Sequence, residues 1–129
     1  MYQLKQIHYK SIFKQDGDTE TIEYKSQGVI YKEENTKIIF QQNNQDIQIQ
    51  YGKDGILLKN GPSTLRFEIN KDIWNEYELP YGHISLKTKL LKFETDENHI
   101  KMKYELYDTT ALISTVYIWV RIMPIGEGL

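Results

Sequence analysis

The chain contains no cysteine. Disulfides, thiolate metal sites and cysteine nucleophiles are therefore excluded. A small domain without such staples points to a reducing compartment. Arginine is almost missing as well: two residues, Arg66 and Arg121, stand against fourteen lysines. That bias, with abundant Ile and Asn, is common in chains from A+T-rich genomes and suggests a bacterial source. An excess of positive charge is also lacking, since net charge is −2 and pI about 5.9. A protein that neutralises many phosphates carries a surplus of Lys and Arg, so the expectation is no nucleic-acid partner. Long apolar runs are absent too. The longest is Val116 to Val120, well short of the ~18 residues of a membrane helix. The first ten residues lack the apolar run of about 7–15 residues that marks a secretory signal. The expected protein has no membrane partner and a cytoplasmic location.

What is present is enough for one core. Apolar residues make up 40% of 129 residues, and sixteen are aromatic, ten of them Tyr. Such a chain is neither disordered nor of low complexity. Its length fits a single domain over residues 1–129, with a frayed tail from position 123 onward.

Apolar residues alternate with polar ones nearly everywhere, the period-2 signature of half-buried strands. Ile47, Ile49 and Tyr51 flank Gln48 and Gln50, and Leu65, Phe67 and Ile69 flank Arg66 and Glu68. Ile100, Met102, Tyr104 and Leu106 flank Lys101, Lys103 and Glu105. The longest row runs through Leu112, Ser114, Val116, Ile118, Val120 and Ile122. Turn-forming residues separate these runs at nine places, among them Asp16-Gly17-Asp18, Asn43-Asn44, Gly52-Lys53-Asp54-Gly55, Asn60-Gly61-Pro62-Ser63 and Pro80-Tyr81-Gly82. Asp, Asn and Gly tolerate the positive φ of tight hairpins. Connections this short forbid parallel crossovers. The predicted fold is all-β, a single antiparallel up-and-down meander of about 8–10 strands. Closure into a barrel would remove its exposed edges. Two slips of the apolar row, at Gly28 and at Leu90-Leu91, predict β-bulges that bend the sheet.

Motifs that name a chemistry are missing. His8, His83 and His99 have no ligand-spaced partner, so no metal site is expected. No serine sits in a nucleophile elbow, no pair of carboxylates is singled out, and the glycines form turns rather than a phosphate cradle. The expectation is a protein that is not an enzyme, with no catalytic residue and no cofactor. Lys87, Lys89, Lys92, Lys101 and Lys103 fall on one long hairpin, where Glu94 and Glu105 interleave as cross-strand partners. They read as a solvated face rather than a nucleic-acid surface.

Two groups of residues stand out as candidate sites. Tyr24, Tyr31, Tyr51, Tyr77 and Tyr104 fall on apolar rows and would line the barrel interior, each with an apolar body and a polar tip. They are candidates to bind a small, largely apolar molecule, or else simply to fill the barrel. On the last strand the opposite row holds Tyr117, Trp119, Arg121 and Met123. These types are enriched at interfaces, so they mark a face covered by the N-terminal segment or by a second copy in a homodimer. Arg66 and Arg121 both oppose the apolar rows, which weakens any interior clamp on a carboxylate.

Three stretches carry a family resemblance: Asn60-Gly61-Pro62-Ser63-Thr64-Leu65-Arg66-Phe67, Tyr77-Glu78-Leu79-Pro80-Tyr81-Gly82 and Lys87-Thr88-Lys89-Leu90. With Tyr104-Glu105-Leu106-Tyr107 and the closing strand, they resemble the YwiB-like family of uncharacterised small bacterial proteins. Position 79 is Leu where that pattern has Thr. The resemblance implies a calycin-like, lipocalin-like barrel and implies no activity. The lipocalin Gly-x-Trp motif is absent, and no binding residue carries over.

Overall fold

A computed structural model describes residues 2–53 and 55–125. Ten strands follow one another: β1 (Tyr2–Gln15), β2 (Asp18–Lys32), β3 (Thr36–Gln42), β4 (Gln45–Gly52), β5 (Gly55–Asn60), β6 (Ser63–Phe67), β7 (Ile73–Leu79), β8 (Gly82–Thr95), β9 (His99–Tyr107) and β10 (Leu112–Met123). The strands occupy the segments between the predicted turns, ten where about 8–10 were expected, and every connection falls at a predicted turn. Asn43 and Asn44 both take positive φ, as do Asp16 and Gly17, the conformation that two-residue hairpins need. The described residues contain no helix, hence none long and apolar enough to cross a membrane.

The strands form one antiparallel sheet in the order β6-β5-β4-β3-β2-β1-β10-β9-β8-β7. The first strand pairs with the last over most of its length, from Gln6↔Met123 to Lys14↔Thr115. That pairing joins the two ends of the meander and curls it into a nearly closed barrel. Met123 is thus held in the ladder, which moves the start of any loose tail beyond it. Residues 126–129, where the rest of that tail would be, lie outside the described residues.

Hairpins alternate between two rims. Those at 16–17, 43–44, 61–62, 80–81 and 108–111 share one rim; those at 33–35, 68–72 and 96–98 share the other. The second rim is tightly filled. Ile7, Ile30, Ile38, Ile49, Ile56, Phe67, Ile100 and Val120 are all buried there, and Phe67 packs on Tyr104 with ring centroids 4.6 Å apart.

One of the two predicted bulges is present. Between β8 and β9 the register shifts from Leu90↔Tyr104 to Lys92↔Lys103, leaving Leu91 as the extra residue. Gly28, by contrast, is no bulge. Pairing of β1 with β2 runs unbroken from Tyr2↔Tyr31 to Gln15↔Asp18, so the inward row stays even through Ile22, Tyr24, Ser26, Gly28 and Ile30. Gly28 answers a close approach instead: a Cβ there would stand 2.8 Å from both Ile39 O and Ile7 Cγ1. A further bulge, not predicted, lies between Leu112↔Tyr107 and Ser114↔Leu106. It turns Leu112 outward and swings Ile113 into the core.

Nine neighbouring strand pairs are joined by backbone ladders, and β6 and β7 are not. Side chains close this seam. Asn75 is 7% exposed; its Oδ1 accepts from the Arg66 backbone N–H at 2.8 Å, and its Nδ2 donates to Arg66 O at 3.4 Å. The Thr88 hydroxyl donates to the same Arg66 carbonyl at 2.6 Å, and the Ser63 hydroxyl donates to Glu78 O at 2.7 Å. Buried peptide groups are costly to leave unpaired, and these three polar side chains do the work of the missing ladder. Truncation to Asn75→Ala strips the Arg66 N–H of its partner and is expected to lower unfolding free energy by about 2–3 kcal/mol. Urea unfolding measures this directly; a loss under ~1 kcal/mol would show that water satisfies the seam instead.

Candidate functional site

The barrel is filled at one rim and hollow at the other. Interior positions near the hollow rim are half-buried rather than buried: Phe13, Ile22, Leu58, Leu79, Leu106 and Ile113. Ile84, at the mouth, is 43% exposed. Among the described residues, short hairpins frame this rim and no helix or long loop plugs it. The result is a cavity of about 330 Å³ whose walls come from β1, β2, β4 to β10, within the size range of small-molecule sites.

Its walls are apolar and its floor carries hydroxyls. Tyr9 and Ser11 reach in from β1, Tyr24 from β2, Tyr77 from β7 and Tyr104 from β9. Tyr9 stacks on Tyr24 at 5.8 Å and leans on Phe40 at 5.6 Å. Burial pushes the Tyr9 hydroxyl up to about 12, with the neighbouring Ser11 hydroxyl pulling slightly the other way. Burial raises Tyr104 further still, and the nearby Tyr9 and Tyr77 add to it. These hydroxyls therefore stay protonated at neutral pH and offer hydrogen bonds, not charge. The Ser11 Oγ is the one buried side-chain oxygen among the described residues with no hydrogen bond of proper geometry. Lys59, exposed at the mouth, is the single charged residue of the lining.

Of the five tyrosines expected inside, three meet in this cavity: Tyr24, Tyr77 and Tyr104. Tyr51 faces inward at the filled rim, edge-on to Phe93 at 5.4 Å, beside a separate depression with Phe67 and Ile73. Burial raises its hydroxyl as well. Tyr31 lies outside. Because no bulge occurs at Gly28, its odd position points outward, where it is 36% exposed and packs on Tyr2. Tyr9 and Ser11 were missed, because β1 has apolar residues of both parities (Ile7, Tyr9, Ile12, Phe13) and its inward row cannot be told from alternation alone. Arg66 and Arg121 are both exposed on the outside.

On the outer surface, Tyr117 and Trp119 stand half-buried on β10, with Arg121 exposed and Met123 half-buried beyond them. The His8 ring meets Trp119 edge-on at 5.1 Å and hydrogen-bonds Glu23, whose carboxyl this contact holds below its usual range. Lys14 and Lys103 lie over the Tyr117 ring at 5.2 and 5.1 Å. The N-terminal strand does not cover this face; it lies beside β10 in the sheet. Among the described residues no three His, Asp or Glu side chains gather as a metal site would require.

Fold and site together define a small antiparallel β-barrel with an apolar, hydroxyl-floored cavity at one rim. The chain belongs to the DUF1934 family, a domain of unknown function, whose model matches residues 7–118. Its fold is similar to that of the ywiB protein from Bacillus subtilis, known from a crystal structure. The TM-score is 0.70 at 16% identity, over 93% of this chain and 92% of that one. At that identity the likeness speaks for fold alone. No curated protein sequence matches the chain.

The buried tyrosines make a pH dependence. Tyr9 titrates near 12 when folded and near 10 when unfolded. The unfolded chain thus sheds its proton first, and stability present below pH 10 is lost as pH rises towards 12. Thermal melts across this range are expected to show a loss on the order of 2 kcal/mol from Tyr9, absent in Tyr9→Phe. An unchanged slope in that variant would mean that the hydroxyl is solvated.

Proposed function

We propose that this protein binds one small, uncharged, largely apolar molecule in the hollow half of its barrel. The observation that carries this is the cavity of about 330 Å³, with apolar walls and a cluster of protonated hydroxyls at its floor. A ligand with one polar group can take the hydrogen bond that Ser11 lacks, while its body buries apolar surface against Leu58, Leu65, Leu86 and Ile118. Barrels of the lipocalin kind are wide enough to hold one such ligand; that parallel concerns architecture and brings no ligand identity with it.

Charge narrows the class. A carboxylate buried without a cation is strongly disfavoured; both arginines lie outside, and Lys59 stands exposed at the mouth, away from the buried hydroxyls. Fatty acids are therefore poor ligands, and neutral molecules good ones. Among the described residues the lining holds no histidine and no carboxylate, so the reading is binding, not proton transfer.

The neutral fluorescent probe N-phenyl-1-naphthylamine tests this. It is expected to bind in the micromolar range with enhanced, blue-shifted emission. Leu58→Trp, which fills the cavity from its wall, is expected to weaken binding about tenfold or more and leave circular dichroism unchanged. Oleate is expected not to compete. No emission change, or equal binding by Leu58→Trp, would overturn the reading.

A further inference from the structure

The outer face around β10 has a charge distribution that the chain's net −2 conceals. Register places four rows of side chains on this face. Across the centre run Glu23, Lys10, Trp119, Lys101 and Glu94. The next row is Thr21, Ile12, Tyr117, Lys103 and Lys92. The flanking rows add Lys25, His8, Arg121 and His99 on one side, and Lys14, Glu105 and Lys89 on the other. Eight Lys or Arg thus face three Glu here, while the rest of the chain has eight against fifteen Asp or Glu. All three glutamates are engaged: Glu23 by His8, Glu94 by Lys92 at 3.2 Å, Glu105 by the Tyr107 hydroxyl. Lys10, Lys14, Lys101, Lys103 and Arg121 make no ion pair with any described residue.

We propose that this face binds single-stranded nucleic acid, with phosphates on Lys10, Lys14, Lys101 and Lys103 and bases against Tyr117 and Trp119. Trp119 has Lys10 of β1 and Lys101 of β9 as its register partners, and the Tyr117 ring has Lys14 of β1 and Lys103 of β9 over it. The rings are two residues apart on one strand, about 6.6 Å at ~3.3 Å per residue, a gap that one nucleotide step spans. Aromatic platforms in a basic trough are how sequence-tolerant single-strand binding is built. A second copy fits poorly, because a two-fold contact would press unpaired lysines against their own copies. A membrane surface fits poorly too: the central rings are half-buried in the sheet, and the exposed leucines of β8 and β10, Leu91 and Leu112, stand apart from one another at two bulges. The hairpin lysines alone read as a solvated face; β1, at the other end of the sequence, supplies the other half of the trough.

The test uses Trp74→Phe protein, in which Trp119 is the one remaining tryptophan, and a twelve-residue oligouridylate at low salt. Saturable quenching of Trp119 is expected in the micromolar range, with a log–log salt slope near −3 for about four phosphates. Lys101→Glu with Lys103→Glu is expected to weaken binding more than about tenfold, and Tyr117→Ala about tenfold. Circular dichroism verifies that each variant is folded. The proposal is overturned by an absence of quenching. It is equally overturned if inorganic polyphosphate binds as tightly and Tyr117→Ala changes nothing, or if phosphatidylglycerol vesicles bind and the oligonucleotide does not.

Discussion

Closure of the sheet around its own inward row is the constraint on which the rest of this structure depends. Ten strands with one apolar face must hide that face, and no helix is available to cover it. The β1–β10 ladder brings the chain's two ends together, but it leaves one place where neighbouring strands do not pair. At that place Ser63, Asn75 and Thr88 supply hydrogen bonds sideways from their side chains. The barrel is thus sealed by backbone everywhere except along one polar seam, and that seam borders the cavity through Ser63 and Tyr77.

Filling is uneven, and this gives the cavity its character. Isoleucines and Phe67 occupy the rim that carries the 68–72 connection. At the other rim the inward side chains are only half-buried and leave space. The hydroxyls of Tyr9, Ser11 and Tyr104 lie at the boundary between the two halves. A site so arranged selects for shape and for one hydrogen-bonding group, and it selects against charge.

Much of the architecture was legible in the sequence because period 2 and turn chemistry are local signals. The antiparallel meander, the nine turns that divide it and the Leu90-Leu91 bulge follow from them. The failures also have local causes. Val29 and Tyr31 are apolar yet face outward, so they imitate a slip at Gly28 that the ladder does not contain. The row from Leu112 to Ile122 looks unbroken, which hides the bulge that admits Ile113. Asn75 had a readable signal: it is the polar member of an inward row with Ile73, Tyr77 and Leu79. The cavity was not legible, because volume depends on how inward side chains from nine strands share space. Nor was the basic trough, because its halves come from opposite ends of the chain.

The interior cavity is the feature on which the functional account rests, and xenon probes it most directly. Dry apolar cavities take up xenon under modest pressure. Diffraction from a xenon-pressurised crystal is expected to show bound xenon between Leu86, Tyr104 and Ile118, above the Tyr9 and Ser11 hydroxyls. A barrel interior with no xenon, its space taken by repacked side chains, would contradict the account.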